Sequence, residues 1–207
     1  MGATWFKRAK PKRNRRINKF DPKTLSKAHQ EVVKNTRIWL DQMVVGLNLC
    51  PFSLSVIARD QVHYAVCDAT ADADLRQFFL GELQRLLASN ENDVATSLLM
   101  FTKAVDDFDE YLALLDWFQQ LLEDADLTDH VQLASFHPRY QFEGVAAEDL
   151  SHFTNRSPYP TIHLLRQDQM ARVLAHVSNP EKIYLENIET LKKLGRQQVE
   201  ALCPWGK

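Results

Sequence analysis

Three short apolar stretches of strand length, separated by two helical patterns, constrain the fold more than any other feature of the chain. Residues 62–66 alternate, residues 97–101 form a continuous apolar run, and residues 131–135 alternate again. The two intervening helical patterns place the following apolar residues on one side: Leu75, Phe78, Phe79, Leu83, Leu86 and Leu87, then Phe108, Tyr111, Leu112, Leu115, Phe118 and Leu122. This alternation of strand and helix predicts right-handed crossovers and a parallel core sheet.

The remainder of the chain adds a fourth strand and further helices. Residues 161–166 have the length of a strand, but the connection before them is too irregular to predict its direction. A helical pattern over residues 32–47 precedes the first strand, and two more end the chain. The sequence therefore predicts a single α/β domain over residues 24–207. Its sheet is small, mostly parallel or mixed, with about four strands flanked by helices and a helical C-terminus.

The charges divide into a basic N-terminal segment and an acidic remainder. Residues 1–30 contain ten of the 25 Lys and Arg residues and one of the 27 acidic residues, which leaves 15 basic and 26 acidic residues after them. We expect residues 1–23 to form a disordered basic tail, because no periodic apolar pattern is present there. A basic arm suits contact with nucleic acid through residues 1–30, with the ribosome or an acidic partner, or with the acidic body itself.

Neither a membrane segment nor a disulfide framework is indicated by the sequence. No run approaches the roughly 20 apolar residues of a membrane span, and the basic N-terminus lacks the apolar segment of a secretory signal. The three cysteines are an odd number, and no Cys-x-x-Cys pair occurs. We therefore expect a cytoplasmic protein with reduced thiols and no membrane contact.

The side chains best suited to chemistry lie around the loop between the third and fourth strands. His137 follows the third strand, and Pro138 stops that strand from continuing, so the imidazole is expected at the carboxyl edge of the sheet, where α/β folds bind ligands. An antiparallel fourth strand would bring Asn155 and Arg156 to this edge, whereas a parallel strand would bring Arg166. The candidate substrate-binding residues are Asn155, Arg156, Tyr159, His163 and Arg166.

Each of these candidates also has a structural interpretation. His137 could simply bond a neighbouring carbonyl, and His163 lies between two apolar residues, as a core histidine does. Asn155 could serve only to shape a turn. Arginine is costly to bury unless it meets a carboxylate or a phosphate, so Arg156 and Arg166 indicate either an anion site or a structural ion pair.

Cys50 is the candidate nucleophile or redox thiol. Pro51 suits the first turn of a short helix over residues 52–59, which would place Cys50 at or beside the N-cap. Free backbone amides and the helix dipole stabilise a thiolate at such a position. The alternative is a small buried hydrophobic residue, because free cysteine is among the most buried residue types.

Three motifs, GLNLCPF, ASFHPRYQF and TNRSPYPTIHLLR, occur in this order along the chain. Together they resemble the mostly bacterial family catalogued as a domain of unknown function, number fourteen-fifteen, over roughly residues 30–202. The resemblance implies which positions match the family motifs, but it implies no reaction. The matching residues are Cys50, Pro51, His137, Pro138, Asn155, Arg156, Ser157, Pro158, Tyr159, Pro160, His163 and Arg166. At position 167 the family is expected to have an acidic residue more often, whereas this chain has Gln167. If that acid normally pairs with the arginine before it, the resemblance does not assign a role to Arg166.

No known catalytic template fits the chain. A glycine-rich phosphate loop, a Gly-x-Ser-x-Gly elbow and a nicotinamide fingerprint are all absent from the sequence. The leading hypothesis is an enzyme for a small anionic substrate, with Cys50 as nucleophile, His137 as proton carrier and the arginines as anion clamps. The second is a non-catalytic ligand-binding or interaction module. The third is a mononuclear metal site of Cys50, His137 and His163. The sequence does not identify a cofactor.

Overall fold

Four six-residue strands form one mixed sheet, in the order β1-β2-β4-β3. The computed structural model describes residues 22–175 and 179–205. The strands are β1 (Val62–Cys67), β2 (Thr96–Phe101), β3 (Val131–Phe136) and β4 (Thr161–Arg166). The helices are α1 (Lys27–Trp39), α2 (Ser53–Ala58), α3 (Asp72–Ala88), α4 (Phe108–Asp124), α5 (Gln167–Leu174), α6 (Pro180–Leu194) and α7 (Arg196–Leu202), with short 3-10 turns at Pro22–Thr24 and Leu150–Thr154.

The direction of β4 decides which residues share an edge of the sheet. β1 runs parallel to β2, with Val62 beside Thr96, whereas β4 is antiparallel to both β2 and β3. The ends of β1, β2 and β3 therefore lie at the same edge as the start of β4. The prediction of a single α/β domain with a mixed four-stranded sheet and a helical C-terminus is confirmed. The predicted tail, residues 1–23, lies outside the described residues except for its last two.

The sheet is covered on both faces, because alternate side chains along each strand point to opposite sides. The first core lies against α3 and α4 and includes Leu99, Phe101 and Ile162. The second core lies against α1, α6 and α7 and includes Tyr64, Leu98 and Met100. β2 is buried along its whole length, as its continuous apolar run predicts.

α1 continues without a break into a π-helix, Leu40–Val45, and then turns sharply towards α2. A side chain at Gly46 would place its Cβ 2.4 Å from the carbonyl oxygen of Gln42, so only glycine fits there. Asn48 then adopts a left-handed backbone, φ 53°, which asparagine tolerates better than most residues. The glycine and asparagine of the first motif therefore serve this turn.

Side-chain caps begin several of these elements. Ser26 accepts a hydrogen bond from the backbone amide of His29, and Asp107 accepts two from the first turn of α4. α3 is different, because its N-cap is Ala71, and Asp72 and Asp74 lie in its first turn. No helix in the described part of the chain is long and apolar enough to cross a membrane.

Candidate functional site

His137 lies at the carboxyl edge of the sheet, as its place after β3 predicts, but it is fully buried, at 0% exposure. Its Nδ1 accepts a hydrogen bond from the backbone amide of Arg139 at 3.0 Å, so Nε2 carries the proton and donates to the carbonyl of Val105 at 3.2 Å. Burial lowers the pKa of His137, although the bond to Val105 acts in the opposite direction. The ring therefore stays neutral, with both nitrogens engaged by backbone groups.

His152 forms the same arrangement in the loop that follows. It is also fully buried, its Nδ1 accepts from the amide of Phe142 at 3.1 Å, and its Nε2 donates to the carbonyl of Ala146 at 2.8 Å. His152 lies outside the three motifs, so sequence reasoning did not single it out. The two buried imidazoles bond backbone groups that no strand or helix pairs, which lets an irregular loop remain buried.

Asn155 joins this loop to the end of β3. Its side-chain amide donates to the carbonyl of Ser135 at 3.1 Å, its side-chain oxygen accepts from Thr154, and its own carbonyl accepts from the amide of His137 at 3.1 Å. An antiparallel β4 brings Asn155 to the edge of His137. Its polar groups are used in holding the loop in place.

Arg156 is half-buried at the same edge. Its guanidinium lies over the ring of Phe153, 4.3 Å from the centroid, and its Nε donates to the carbonyl of Tyr140 at 3.3 Å. Burial lowers the pKa of Arg156 and the nearby Arg196 lowers it further, whereas Cys203 and Glu200 raise it. Arg156 thus lies near Arg196 and Glu200, which pair with each other at 3.1 Å.

Tyr159 and His163 are held by single side-chain contacts on the second face of the sheet. The hydroxyl of Tyr159 accepts from the side-chain amide of Asn35 at 3.0 Å. His163 Nε2 lies 2.5 Å from Thr96 Oγ1, whose hydroxyl is also 2.7 Å from the carbonyl of Leu164. Burial lowers the pKa of His163 to about 4. His163, which is half-buried, is thus neutral at physiological pH.

Arg166 lies at the opposite edge of the sheet from Asn155 and Arg156, because β4 is antiparallel. Its guanidinium donates to the carbonyls of Leu86, Ser89 and Val94 at 2.5–3.2 Å. These carbonyls lie at and beyond the end of α3, and that of Leu86 also accepts from the amide and hydroxyl of Ser89. Arg166 thus bonds backbone groups of the fold and lies at the other edge of the sheet from the candidate anion site.

Cys50 does not lie at a helix N-terminus. α2 begins at Ser53 with Phe52 as its N-cap, and the carbonyl of Cys50 accepts from the amide and hydroxyl of Ser53 at 3.1 and 2.7 Å. Cys50 is half-buried beside Leu49, which belongs to the second core. The prediction that Pro51 lies in the first turn of the helix, with Cys50 at or beside the N-cap, is therefore wrong, because Pro51 lies two residues before the helix begins.

No hydrogen bond or ring contact joins Cys50 to His137 in the described part of the chain. The ring of His137 packs against Phe108 and Tyr111, at centroid distances of 5.2 and 5.1 Å, and Tyr111 belongs to the first core. Cys50 follows a residue of the second core, on the other side of the sheet. Within the described residues, no three His, Cys, Asp or Glu side chains are grouped to hold a metal ion. The structure thus does not assemble the three proposed metal ligands.

A groove of about 340 Å³ lies elsewhere, between residues 47–51 and α6. The lining residues are Leu47, Asn48, Pro51, Ile183, Glu186, Asn187, Glu189, Thr190 and Lys193. The side-chain amide of Asn187 donates to the carbonyl of Leu49 at 2.7 Å and joins the two walls. Sequence reasoning missed the α6 residues. The only available signal was that the opposite wall belongs to the GLNLCPF motif.

Comparison with known proteins adds family membership. No curated protein and no solved structure matches this chain. A family model described as a protein of unknown function, DUF1415, matches residues 31–201, which contain all three motifs and both walls of the groove. The chain therefore belongs to the DUF1415 family.

Proposed function

We propose that this chain is a non-catalytic binding module for small molecules, with the groove between residues 47–51 and α6 as its site. The observation that carries the proposal is the groove itself. Its volume of about 340 Å³ falls within the roughly 300–1,000 Å³ typical of small-molecule sites. Leu47, Asn48 and Pro51 of the first motif form one wall, so the segment that carries the family resemblance also lines the site.

The lining of the groove suits a ligand with an apolar part and a polar part. Leu47, Pro51 and Ile183 supply apolar surface, and Asn48 and Asn187 supply amide groups. This mixture of apolar walls with a few polar groups is typical of ligand pockets. The apolar part gives affinity through burial, and the amides orient the ligand.

Surface ion pairs along α6 surround the groove. Glu186 pairs with Lys182 at 3.1 Å, and Glu189 pairs with Lys193 at 2.9 Å. All four side chains are more than half exposed, so each pair contributes at most about 1 kcal/mol and exchanges partners readily. The groove can therefore offer either sign of charge to a ligand.

The thiol–imidazole enzyme receives less support from the same contacts. A proton carrier needs a ring nitrogen within reach of the substrate, and both nitrogens of His137 bond backbone groups inside the fold. Cys50 and His137 also lie beside different cores. An anion held by Arg156 remains a proposal for the edge of the sheet, and it requires no chemistry from either residue.

A screen of small molecules against the full chain tests the proposed site. Protein-observed NMR with a fragment library should shift the amides of residues 47–51 and α6. Thr190→Trp fills the groove and should abolish these shifts, whereas Lys192→Trp, on an exposed position of α6 outside the groove, should leave them. Fragments that bind Thr190→Trp as well as the parent protein, or no fragment binding at all, would overturn the proposal.

Contact with nucleic acid is a second candidate, and the charge split favours it. Residues 1–30 carry ten basic residues and one acid, while the rest of the chain has 15 basic and 26 acidic residues. Charge of this kind binds phosphate backbones with little sequence preference. Residues 1–21, which hold eight of the ten basic residues of this segment, lie outside the described residues. Their removal, followed by a measurement of RNA affinity, tests this candidate.

A further inference from the structure

A separate pocket of about 180 Å³ lies between α1, the π-helix and the start of β1. Leu40, Ile57 and Val62 give it an apolar side. Arg37, Asp41, Asp60 and Tyr64 give it a polar side. Charges of both signs and a phenol therefore face a space too small for a drug-sized molecule.

The π-helix contributes to the shape of this pocket. α1 carries Arg37 in its last turn, and the π-helix carries Asp41 one turn later. Residues four apart on a helix lie on the same side, so an arginine and an aspartate line one wall. π-helical turns of this kind occur frequently at functional sites.

Arg37 is positioned by contacts that do not use all of its donors. Its Cζ lies 4.9 Å from the centre of the Tyr64 ring, and its Nη2 lies 3.8 Å from Asp60 Oδ1. A charge-assisted hydrogen bond is about 2.7–2.9 Å long, so the ion pair is loose. A guanidinium has five N–H groups, more than these neighbours accept. The pocket thus presents a held cation with donors to spare.

Tyr64 supplies a neutral hydroxyl to the same space. It is buried, at 5% exposure, and burial raises the pKa of its phenol, while Arg37 lowers it and the two aspartates, Asp41 and Asp60, raise it. Arg37, Asp41 and Asp60 line the same pocket as the phenol. The hydroxyl stays protonated at neutral pH and can donate to a carboxylate.

We propose that this pocket binds a small zwitterion of the α-amino-acid class. The ligand carboxylate meets Arg37 and the Tyr64 hydroxyl, the ligand ammonium meets Asp41 and Asp60, and the side chain lies against the apolar residues. The lining carries one guanidinium and two carboxylates, which suits a ligand with charges of both signs better than a simple anion. This site is independent of the groove at α6.

Calorimetric titration of the full chain with matched ligands tests the proposal. L-leucine carries both charged groups, 4-methylpentanoate lacks the ammonium, and isopentylamine lacks the carboxylate. We expect L-leucine, or another member of a panel with glycine, alanine and lysine, to bind at least tenfold more tightly than its singly charged analogues. No binding by any panel member, or equal binding of isopentylamine and L-leucine, would overturn the proposal.

Variants assign the binding to the pocket. Arg37→Gln and Asp41→Asn should each weaken the zwitterion at least tenfold, and Arg59→Gln should not, because Arg59 is exposed and does not line the pocket. Asp41 is exposed, so its variant tests binding without risk to folding. Binding retained in both pocket variants would overturn the assignment. Thr190→Trp should leave zwitterion binding unchanged, because Thr190 lines the groove at α6 and not this pocket. This variant therefore distinguishes binding in the pocket from binding in the groove.

Discussion

The Nε2 atom of His137 lies 3.2 Å from the carbonyl oxygen of Val105, a β-branched residue with a left-handed backbone, φ 59°. Such a conformation is strained for valine and persists only where its surroundings hold it. The buried imidazole is one of those surroundings, since it bonds Val105 on one side and the amide of Arg139 on the other. His137 thus connects the loop after β2 to the loop after β3.

The neutral state of the buried histidines predicts a loss of stability in acid. The pKa of His137 and that of His163 are both lowered in the folded protein, the latter to about 4, whereas histidine in an unfolded chain titrates near pH 6.5. The contribution of these two histidines to the free energy of unfolding is therefore fully present above about pH 6.5. It declines below that pH, because the unfolded chain takes up protons that the folded state excludes. Urea unfolding at pH 7.5 and 5.5 measures the difference.

A variant tests the share of His137 in this decline. His137→Gln should lower the free energy of unfolding at pH 7.5 by about 1–3 kcal/mol, because it disturbs two buried hydrogen bonds. It should also reduce the change between pH 7.5 and 5.5. His130→Gln is the control, since that side chain is exposed. An unaltered pH dependence in His137→Gln would contradict the assignment.

Arg166 is expected to act on stability rather than on ligand binding. Arg166→Ala removes the donors of three carbonyls around the end of α3 and should lower the free energy of unfolding by about 2–4 kcal/mol. Arg172→Ala, which removes an exposed ion pair to Glu91, should cost less than about 1 kcal/mol. Equal effects of the two substitutions in chemical denaturation would refute the structural role.

Cys50 is expected to be the fastest cysteine to react, on the ground of access alone. It is half-buried, whereas Cys67 and Cys203 are buried, and burial raises the pKa of Cys67. A time course of iodoacetamide labelling by peptide mass spectrometry should show this order. His137→Ala should leave the Cys50 rate unchanged while the protein stays folded, because the imidazole lies beside the other core. A severalfold slower rate would revive the thiol–imidazole pair.

The basic segment is best tested by a truncation that spares α1. Removal of residues 1–21 deletes eight basic residues, whereas a chain starting at Lys34 would also lose the buried Val32 and Val33. We expect the shorter chain to lose affinity for a labelled single-stranded RNA, and the full chain to bind it less tightly as salt rises from 50 to 200 mM. Fluorescence anisotropy measures both. An unchanged affinity and salt slope in the truncated chain would exclude the segment.

The sequence by itself determined the elements of the fold and their kind. The alternation in residues 62–66, the continuous apolar run in residues 97–101 and the helical periods between them are local patterns, so they predicted strands and helices close to those observed. The place of His137 at a strand end followed in the same way, because proline after a strand stops it wherever the strand lies.

Only the tertiary structure decided which of these residues meet. The antiparallel direction of β4 put Asn155 and Arg166 at opposite edges, although eleven positions separate them in sequence. The groove depends on a bond between Asn187 and Leu49, which are 138 positions apart. The Nε2 proton of His137 is bonded to the carbonyl of Val105, which belongs to another loop. Contacts between distant segments leave no local pattern in the sequence. The hydrogen bonds and burial of each candidate residue, and hence what it can do chemically, are therefore decided by the tertiary structure.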